Sequence, residues 1–322
     1  MSNHGRTPGL AGDVSAEPLV ARDLRKVYTT RGSPPVEALS GVSLQVRARE
    51  RIALLGRNGA GKTTFLKIAS TLLRPTSGAI EIFGHDADRN PDRARPLIAV
   101  VPQEGKPFFH LTPREQIYTY LRTRGLTREV AKARTAAALD QMGLEEVQDR
   151  LAITLSGGQR QRTMVATVIA THAPLLFLDE PTIGMDPFAR RAVWAALREL
   201  TRLGSTMLLT THYLDEADAL SDRLYIIERG RVLMEGTAEE LKRSVGGTLK
   251  VTIAGQTQHM DLFRSFGTVM TDGTSLTVIV QPDSLGELMA IAVRERLTTT
   301  VGPVTLEEAF MRAVGRSINE DE

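Results

Sequence analysis

Gly56-Arg57-Asn58-Gly59-Ala60-Gly61-Lys62-Thr63 is a glycine, four residues and then Gly-Lys-Thr, set directly behind the apolar run Ile52-Ala53-Leu54-Leu55. A buried strand that runs through such a turn into a helix is the context in which this spacing binds phosphate. The glycines let backbone N–H groups converge on one concavity, and a helix beginning near Lys62 adds its positive end. Lys62 is then expected to meet the β- and γ-phosphates of a nucleotide, with the Thr63 hydroxyl on a magnesium ion bridging them. Gly56, Asn58, Gly59, Ala60, Gly61, Lys62, Thr63 and Thr64 are the expected nucleotide contacts of this loop.

A phosphate loop needs a carboxylate from a neighbouring strand. Leu175-Leu176-Phe177-Leu178 followed by Asp179-Glu180 supplies one. Asp179, at the strand's edge, is expected in the metal shell together with Thr63, and Glu180 is placed to polarise the attacking water as general base. Gln103 ends the strand Leu97 to Pro102, from where it can sense both metal and water. His212 follows Thr210-Thr211, placed for a bond to the γ-phosphate. Tyr28 ends the strand Leu19 to Val27, and its ring is a candidate cover for a nucleotide base. Taken singly, a strand-end tyrosine, a glutamine or a histidine is equally an ordinary packing or hydrogen-bonding residue.

The 322 residues, with 42% hydrophobic and 24% charged content, suit a globular α/β protein large enough for a second, smaller domain. A formal net charge of +2 is too small to argue for nucleic acid as the partner, and the absence of cysteine excludes disulfides and thiolate metal sites. Residues 1–18 lack an apolar core and read as a disordered lead-in, and no apolar run is long enough to span a membrane, so a membrane role requires another chain. Strands at Val42 to Val46, Gly78 to Gly84 and Thr206 to Thr211 alternate with helices and imply a mostly parallel sheet. From Gly105 to Gln161 only helix signals appear: the capping box Thr112-Pro113-Arg114-Glu115, and an alanine-rich helix from Arg128 to Met142. A hairpin from Tyr225 to Gly236 and a capping box at Thr237 lead to Gly246-Gly247. The core is therefore drawn over 19–245, an α/β accessory domain over 246–316 and a solvated acidic tail over 317–322.

Ser156 caps a helix that opens with Gly157-Gly158, a second anion-binding nest in one chain. At this run, Leu155-Ser156-Gly157-Gly158-Gln159, the sequence resembles the nucleotide-binding subunit of an ABC transporter, whose LSGGQ signature it matches without substitution. The resemblance covers about residues 19 to 245 and takes in GRNGAGKT, Gln103, the signature, LLFLDE, the Gly184-Met185-Asp186 loop and His212, in the family's order. It implies a P-loop NTPase core with a helical subdomain, ATP and Mg2+ as ligands, and hydrolysis of ATP. It also implies a head-to-tail homodimer in which Ser156, Gly157 and Gly158 reach the γ-phosphate held by Lys62 of the other copy, while Tyr28 stacks on adenine. The residues Val304 to Met311, with Gly315-Arg316, look like the closing helix of daunorubicin-resistance-type exporter ATPases. That resemblance implies a separate transmembrane permease, no nucleic acid, and a place at the cytoplasmic face of the cell membrane. A soluble ABC ATPase acting on ribosomes or DNA, or one remodelling the envelope without moving a solute, carries the same motifs.

Overall fold

Two antiparallel strands open the chain in the computed structural model, which describes residues 17–255, 260–271 and 273–320. They are β1 (Leu19–Tyr28) and β2 (Val36–Val46), paired from Leu19 with Val46 to Tyr28 with Val36. β2 starts at Val36 rather than at the expected Val42 because Gly41 sits in a bulge at φ +90, which breaks the apolar pattern of a continuous strand. A Cβ at Gly41 would lie 2.7 Å from Asp23 Oδ1. β3 (Arg51–Leu55) then leads through the phosphate loop into α1 (Lys62–Ala69). β4 (Ser77–Ile82) and β5 (His85–Asp86) return to the first pair, completing an antiparallel sheet in the order β2-β1-β4-β5. The expected mostly parallel sheet is thus only one of the sheets present.

The remaining elements up to the hairpin are α2 (Pro91–Ala94), β6 (Ile98–Val101), α3 (Pro113–Thr123), α4 (Arg128–Gln141), α5 (Gly157–Ile169), β7 (Leu175–Asp179), α6 (Pro187–Arg202), β8 (Thr206–Thr211), α7 (Leu214–Leu220), β9 (Arg223–Glu228) and β10 (Arg231–Gly236). The second sheet runs β10-β9-β3-β8-β7-β6, and β3, β8, β7 and β6 are mutually parallel. Every residue of β7 and β8 is buried, as expected of parallel strands covered on both faces, and so β8 and β7 up to Leu178 read as unbroken apolar or threonine runs. Parallel pairing also delivers the carboxyl ends of these four strands to one edge. Between β6 and β7 the chain is helical without a strand, as expected, and α3 begins with a complete capping box in which Thr112 Oγ1 accepts from the Glu115 amide and Glu115 Oε2 from the Thr112 amide.

The described chain packs as two units, one holding residues up to Arg223 with Ile227–Val232, the other Leu224–Ile226 with everything from Leu233. The division therefore falls in the β9–β10 hairpin, not at Gly246-Gly247. The reason is local: Arg312 donates to the Ser244 carbonyl, Thr268 to that of Val245 and Gln281 to that of Gly246, so the glycine pair is tied into the C-terminal unit. This unit comprises α8 (Ala238–Arg243), β11 (Leu249–Ala254), α9 (Met260–Phe263), β12 (Thr268–Thr271), β13 (Ser275–Val280), α10 (Pro282–Arg294), β14 (Thr299–Pro303) and α11 (Leu306–Glu320). Its antiparallel sheet, β12-β13-β11-β14, buries Val251, Ile253, Leu276, Val278 and Val280 against Phe263 and Leu288. α11 continues through Asn319 and Glu320, so the expected acidic tail begins as helix; residues 321–322, like the lead-in at 1–16, lie outside the described residues. No helix among the described residues is long and apolar enough to cross a membrane.

Candidate active site

The phosphate loop is held open by steric exclusion. Gly59 and Gly61 take φ of +86 and +107, a region costly for any residue with a Cβ. At Gly56 a Cβ would come within 2.4 Å of the Ile227 carbonyl oxygen, and at Gly61 within 2.5 Å of that of Ala38. Gly61 is the N-cap of α1 and offers no side chain, so the first amides of that helix face the loop's concavity uncapped. Lys62 is buried, and its ammonium donates to the carbonyls of Gly56 at 2.8 Å and Arg57 at 3.1 Å. Burial pushes its pKa down, against the pull of Glu180, Asp179 and Glu228.

The strand ends bring the other polar groups to this loop. Thr63 Oγ1 lies 3.1 Å from Gln103 Oε1 and 3.3 Å from Asp179 Oδ1, and Asp179 Oδ1 also accepts from the Thr210 hydroxyl. Burial raises the pKa of Asp179, an effect that hydrogen bonds from Thr210 and Thr63 oppose. Glu180 is buried at φ +50, with its amide donating to the Thr210 carbonyl at 3.1 Å. Its Oε1 stands 3.2 Å from His212 Nδ1, while the His212 side chain is about one-third exposed. The Thr63 hydroxyl, the Gln103 amide oxygen and the Asp179 carboxylate form a hard donor set of the kind that suits Mg2+ shared with a phosphate. They open on a cleft of about 190 Å³ whose lining includes Asn58, Gly59, Lys62, Gln103 and Glu180.

Two predicted groups stand apart from this cluster. Tyr28, 39% exposed at the end of β1, places its hydroxyl 3.4 Å from Thr64 Oγ1 and has Lys26 Nζ 5.4 Å from its ring centre. Ser156 caps α5 reciprocally: its Oγ accepts from the Gln159 amide at 3.2 Å, and its amide donates to Gln159 Oε1 at 2.9 Å. No hydrogen bond among the described residues joins Ser156, Gly157 or Gly158 to the phosphate loop, and a Cβ at Gly157 would meet nothing within 4 Å. Ser156 and Gly157 are exposed at the start of α5. The chain thus carries two glycine-containing helix starts, one beside a carboxylate and base and one on the capped helix α5.

Residues 39–183 match the family model for ABC transporters. The doxorubicin resistance ATP-binding protein DrrA of Mycobacterium tuberculosis is 41% identical over 230 residues, covering 71% of this chain and 69% of that protein. The chain belongs to the ABC transporter ATP-binding family. Its cassette is an ABC ATPase. The daunorubicin/doxorubicin resistance ATP-binding protein DrrA of Streptomyces peucetius is 44% identical over 212 residues, spanning 66% of this chain but only 64% of its own length. The Nod factor export ATP-binding protein I of Burkholderia orbicola is 33% identical over 95% of this chain and 100% of its own. Among solved structures, an ATP-binding subunit of an ABC transporter superposes with a TM-score of 0.64 at 31% identity, over 71% of this chain and 93% of that one. A dimeric ATP-binding cassette in a post-hydrolysis state, bound to ADP and Pi, gives 0.64 at 26% identity over 68% and 98%.

Within this ABC cassette, sequence reasoning missed the residues that support the loop from a distance. The Gly230 amide donates to the Ala60 carbonyl at 2.9 Å and the Gly230 carbonyl accepts from the Ser40 amide at 2.9 Å, so the Arg229-Gly230 turn stitches β2 to the phosphate loop. The sequence marked that dipeptide as a hairpin turn and gave no sign of what it touches. Thr210 was passed over as strand filling, although a hydroxyl within a buried apolar strand is itself a signal of a polar partner.

Proposed function

We propose that this protein is the ATP-binding and ATP-hydrolysing subunit of an ABC exporter, working as a homodimer that energises a separate membrane permease from the cytoplasmic face of the cell membrane. The observation that carries the proposal is the meeting of Thr63, Gln103 and Asp179 beside the Glu180–His212 pair. The loop amides and Lys62 bind the β- and γ-phosphates of ATP, and Thr63, Gln103 and Asp179 are the groups that would hold Mg2+, which when bound neutralises charge on those phosphates. Glu180 accepts a proton from the attacking water, with His212 holding its carboxylate in place and presenting the imidazole to the γ-phosphate. Tyr28, half-exposed at the rim, covers the adenine.

The Ser156 hydroxyl accepts from Gln159, so its own proton remains free to donate, as do the first amides of α5. In a head-to-tail pair these groups from one copy meet the γ-phosphate held by Lys62 of the other. Closure then depends on an intact γ-phosphate, and its hydrolysis reopens the dimer. The names of the relatives support export as the direction: two are drug-resistance ATP-binding proteins and one a Nod factor export ATP-binding protein. The test has two parts. The purified chain should hydrolyse ATP with Mg2+ and lose that activity in chelator, and a membrane protein with about six hydrophobic spans should co-purify with it from detergent-solubilised cells. A chain that hydrolyses ATP but purifies only with ribosomes or DNA overturns the exporter proposal.

A further inference from the structure

Glu216, in the first turn of α7, is completely buried. Its Oε1 accepts from the Thr182 hydroxyl at 2.7 Å and from Trp194 Nε1 at 3.1 Å. Oε2 is buried as well and has no partner among the described residues. A carboxylate in such a place is expensive, and for packing alone an apolar side chain of similar volume serves as well or better. Its donors come from two different elements: Thr182 lies in the loop just behind Glu180, and Trp194 in α6. Glu216 itself stands one helical turn beyond His212.

The backbone at Glu180 explains why such an anchor is needed. At φ +50 this residue is strained, and a strained conformation persists only where the chain on both sides is over-determined. Before Glu180, pairing of Asp179 with Thr210 fixes the strand. After it, the chain folds through two turns, Ile183 amide to Glu180 carbonyl and Met185 amide to Thr182 carbonyl, each at 3.2 Å. Two side chains hold those turns: Gln161 of α5 donates to the Pro181 carbonyl at 3.2 Å, and Glu216 takes the Thr182 hydroxyl. On the other side, the Arg190 guanidinium lies 5.2 Å from the Trp194 ring and 5.1 Å from the Tyr213 ring, and is paired with Asp215. The Tyr213 ring in turn meets the His212 ring at 4.1 Å.

We infer that Glu216 is a positioning residue for ATP hydrolysis: through Thr182 and Trp194 it fixes the loop behind Glu180 and the helix behind His212 as one piece, so that the two reacting-site side chains keep their 3.2 Å separation. The circuit from Thr182 through Glu216, Trp194, Arg190 and Tyr213 closes on His212 without touching the phosphate loop. It therefore bears on the placement of Glu180 and His212 for the chemical step more than on the loop that holds the phosphates. The inference rests on the ATPase assignment and adds residues outside its motifs.

The experiment is steady-state ATP turnover by the purified full-length chain and its Thr182→Val, Thr182→Ser and Trp194→Phe variants, each checked for folding by thermal melting. Thr182→Val should lower kcat roughly ten- to hundredfold, the cost of a small misplacement of a catalytic group. KM for ATP should change by less than about twofold, since ground-state binding is untouched. Thr182→Ser, which keeps the hydroxyl, should restore most of kcat, and Trp194→Phe should lower it in the same direction as Thr182→Val. Combining Thr182→Val with Trp194→Phe should cost much less than the product of the single effects, because both act through one carboxylate. A folded Thr182→Val with wild-type kcat overturns the inference, as does a loss that Thr182→Ser fails to restore. Should Thr182→Val not fold, Trp194→Phe decides by the same split of kcat against KM. A wild-type chain that turns over no ATP with Mg2+ overturns the ATPase assignment, and the inference with it; an active wild type beside an equally active variant overturns the inference alone.

Discussion

Lys62 without ligand spends its hydrogen bonds on the carbonyls of Gly56 and Arg57, which are the loop's own backbone. The ammonium thereby braces the loop, and under the proposed function it exchanges these bonds for phosphate oxygens when ATP binds. Lys62→Ala removes charge-assisted bonds worth about 1.5–3 kcal/mol, so ATP affinity should fall roughly ten- to hundredfold, measured by titration with a fluorescent ATP analogue, and turnover should vanish. Unchanged turnover in the folded variant contradicts the role given to the loop. Much of the site was legible at this scale. Lys62, Gln103, Asp179, Glu180 and His212 each follow a buried strand, and a continuous apolar run ending in a polar residue marks such a place in a sequence. Thr182, Glu216 and Gly230 were not legible, because their partners lie far away along the chain and no local pattern records the approach.

α5 illustrates what an element can carry alone. Its cap was readable from Ser156, and the structure adds the return bond from the Ser156 amide to Gln159 Oε1 that makes a complete capping box. Ser156→Ala should cost about 1 kcal/mol of stability, through an uncapped first turn. It should also reduce turnover more than it reduces ATP binding by the monomer, since under the proposed function this helix end serves the site of the other copy; equal losses in both measurements contradict the proposed division into two half-sites. In the C-terminal unit, α11 is fixed by Glu308, whose carboxylate accepts from Lys250 Nζ at 2.6 Å and from the Thr305 amide and hydroxyl, both at 2.7 Å. Burial pushes the Glu308 pKa up, but the bonds from Lys250 and Thr305 outweigh it and leave the group below its ordinary value. A depressed carboxylate stabilises the fold fully above its unfolded-state value of about 4.3, and that contribution is lost as pH falls through the lower folded value. Glu308→Gln should therefore destabilise this unit by about 1.5–3 kcal/mol at neutral pH, and the gap from wild type should close on acidification, as followed by urea unfolding. A gap that stays constant from neutral to strongly acidic pH contradicts the assignment. The elements missed in the sequence, β5, α2, α7, α9, β12 and β14, are all short, and most lack a complete period from which to read a pattern.

For the whole molecule, the proposed function calls for two partners. Phe108 is 70% and Phe109 41% exposed in the loop between Gln103 and α3, with Arg160 lying 5.7 Å from the Phe109 ring. Apolar rings held open to solvent suit a protein contact, and under the proposed function that contact is a cytoplasmic segment of the permease. Phe109→Asp should abolish most transport in cells while ATP turnover of the isolated chain persists; normal transport contradicts this contact surface. Under the proposed function the other partner is a second copy of the chain, whose nest at Ser156–Gly158 would meet the γ-phosphate held by the Lys62 loop of the first. Glu180→Gln keeps the shape of the base but cannot take a proton from water, and it removes a negative charge beside the γ-phosphate. ATP then binds and stays intact, bridging two copies at two identical sites. Gel filtration of Glu180→Gln with ATP and Mg2+ should show a dimer that is absent with ADP, whereas a variant that remains monomeric at high protein and ATP concentration contradicts assembly of the two half-sites from copies of this chain alone.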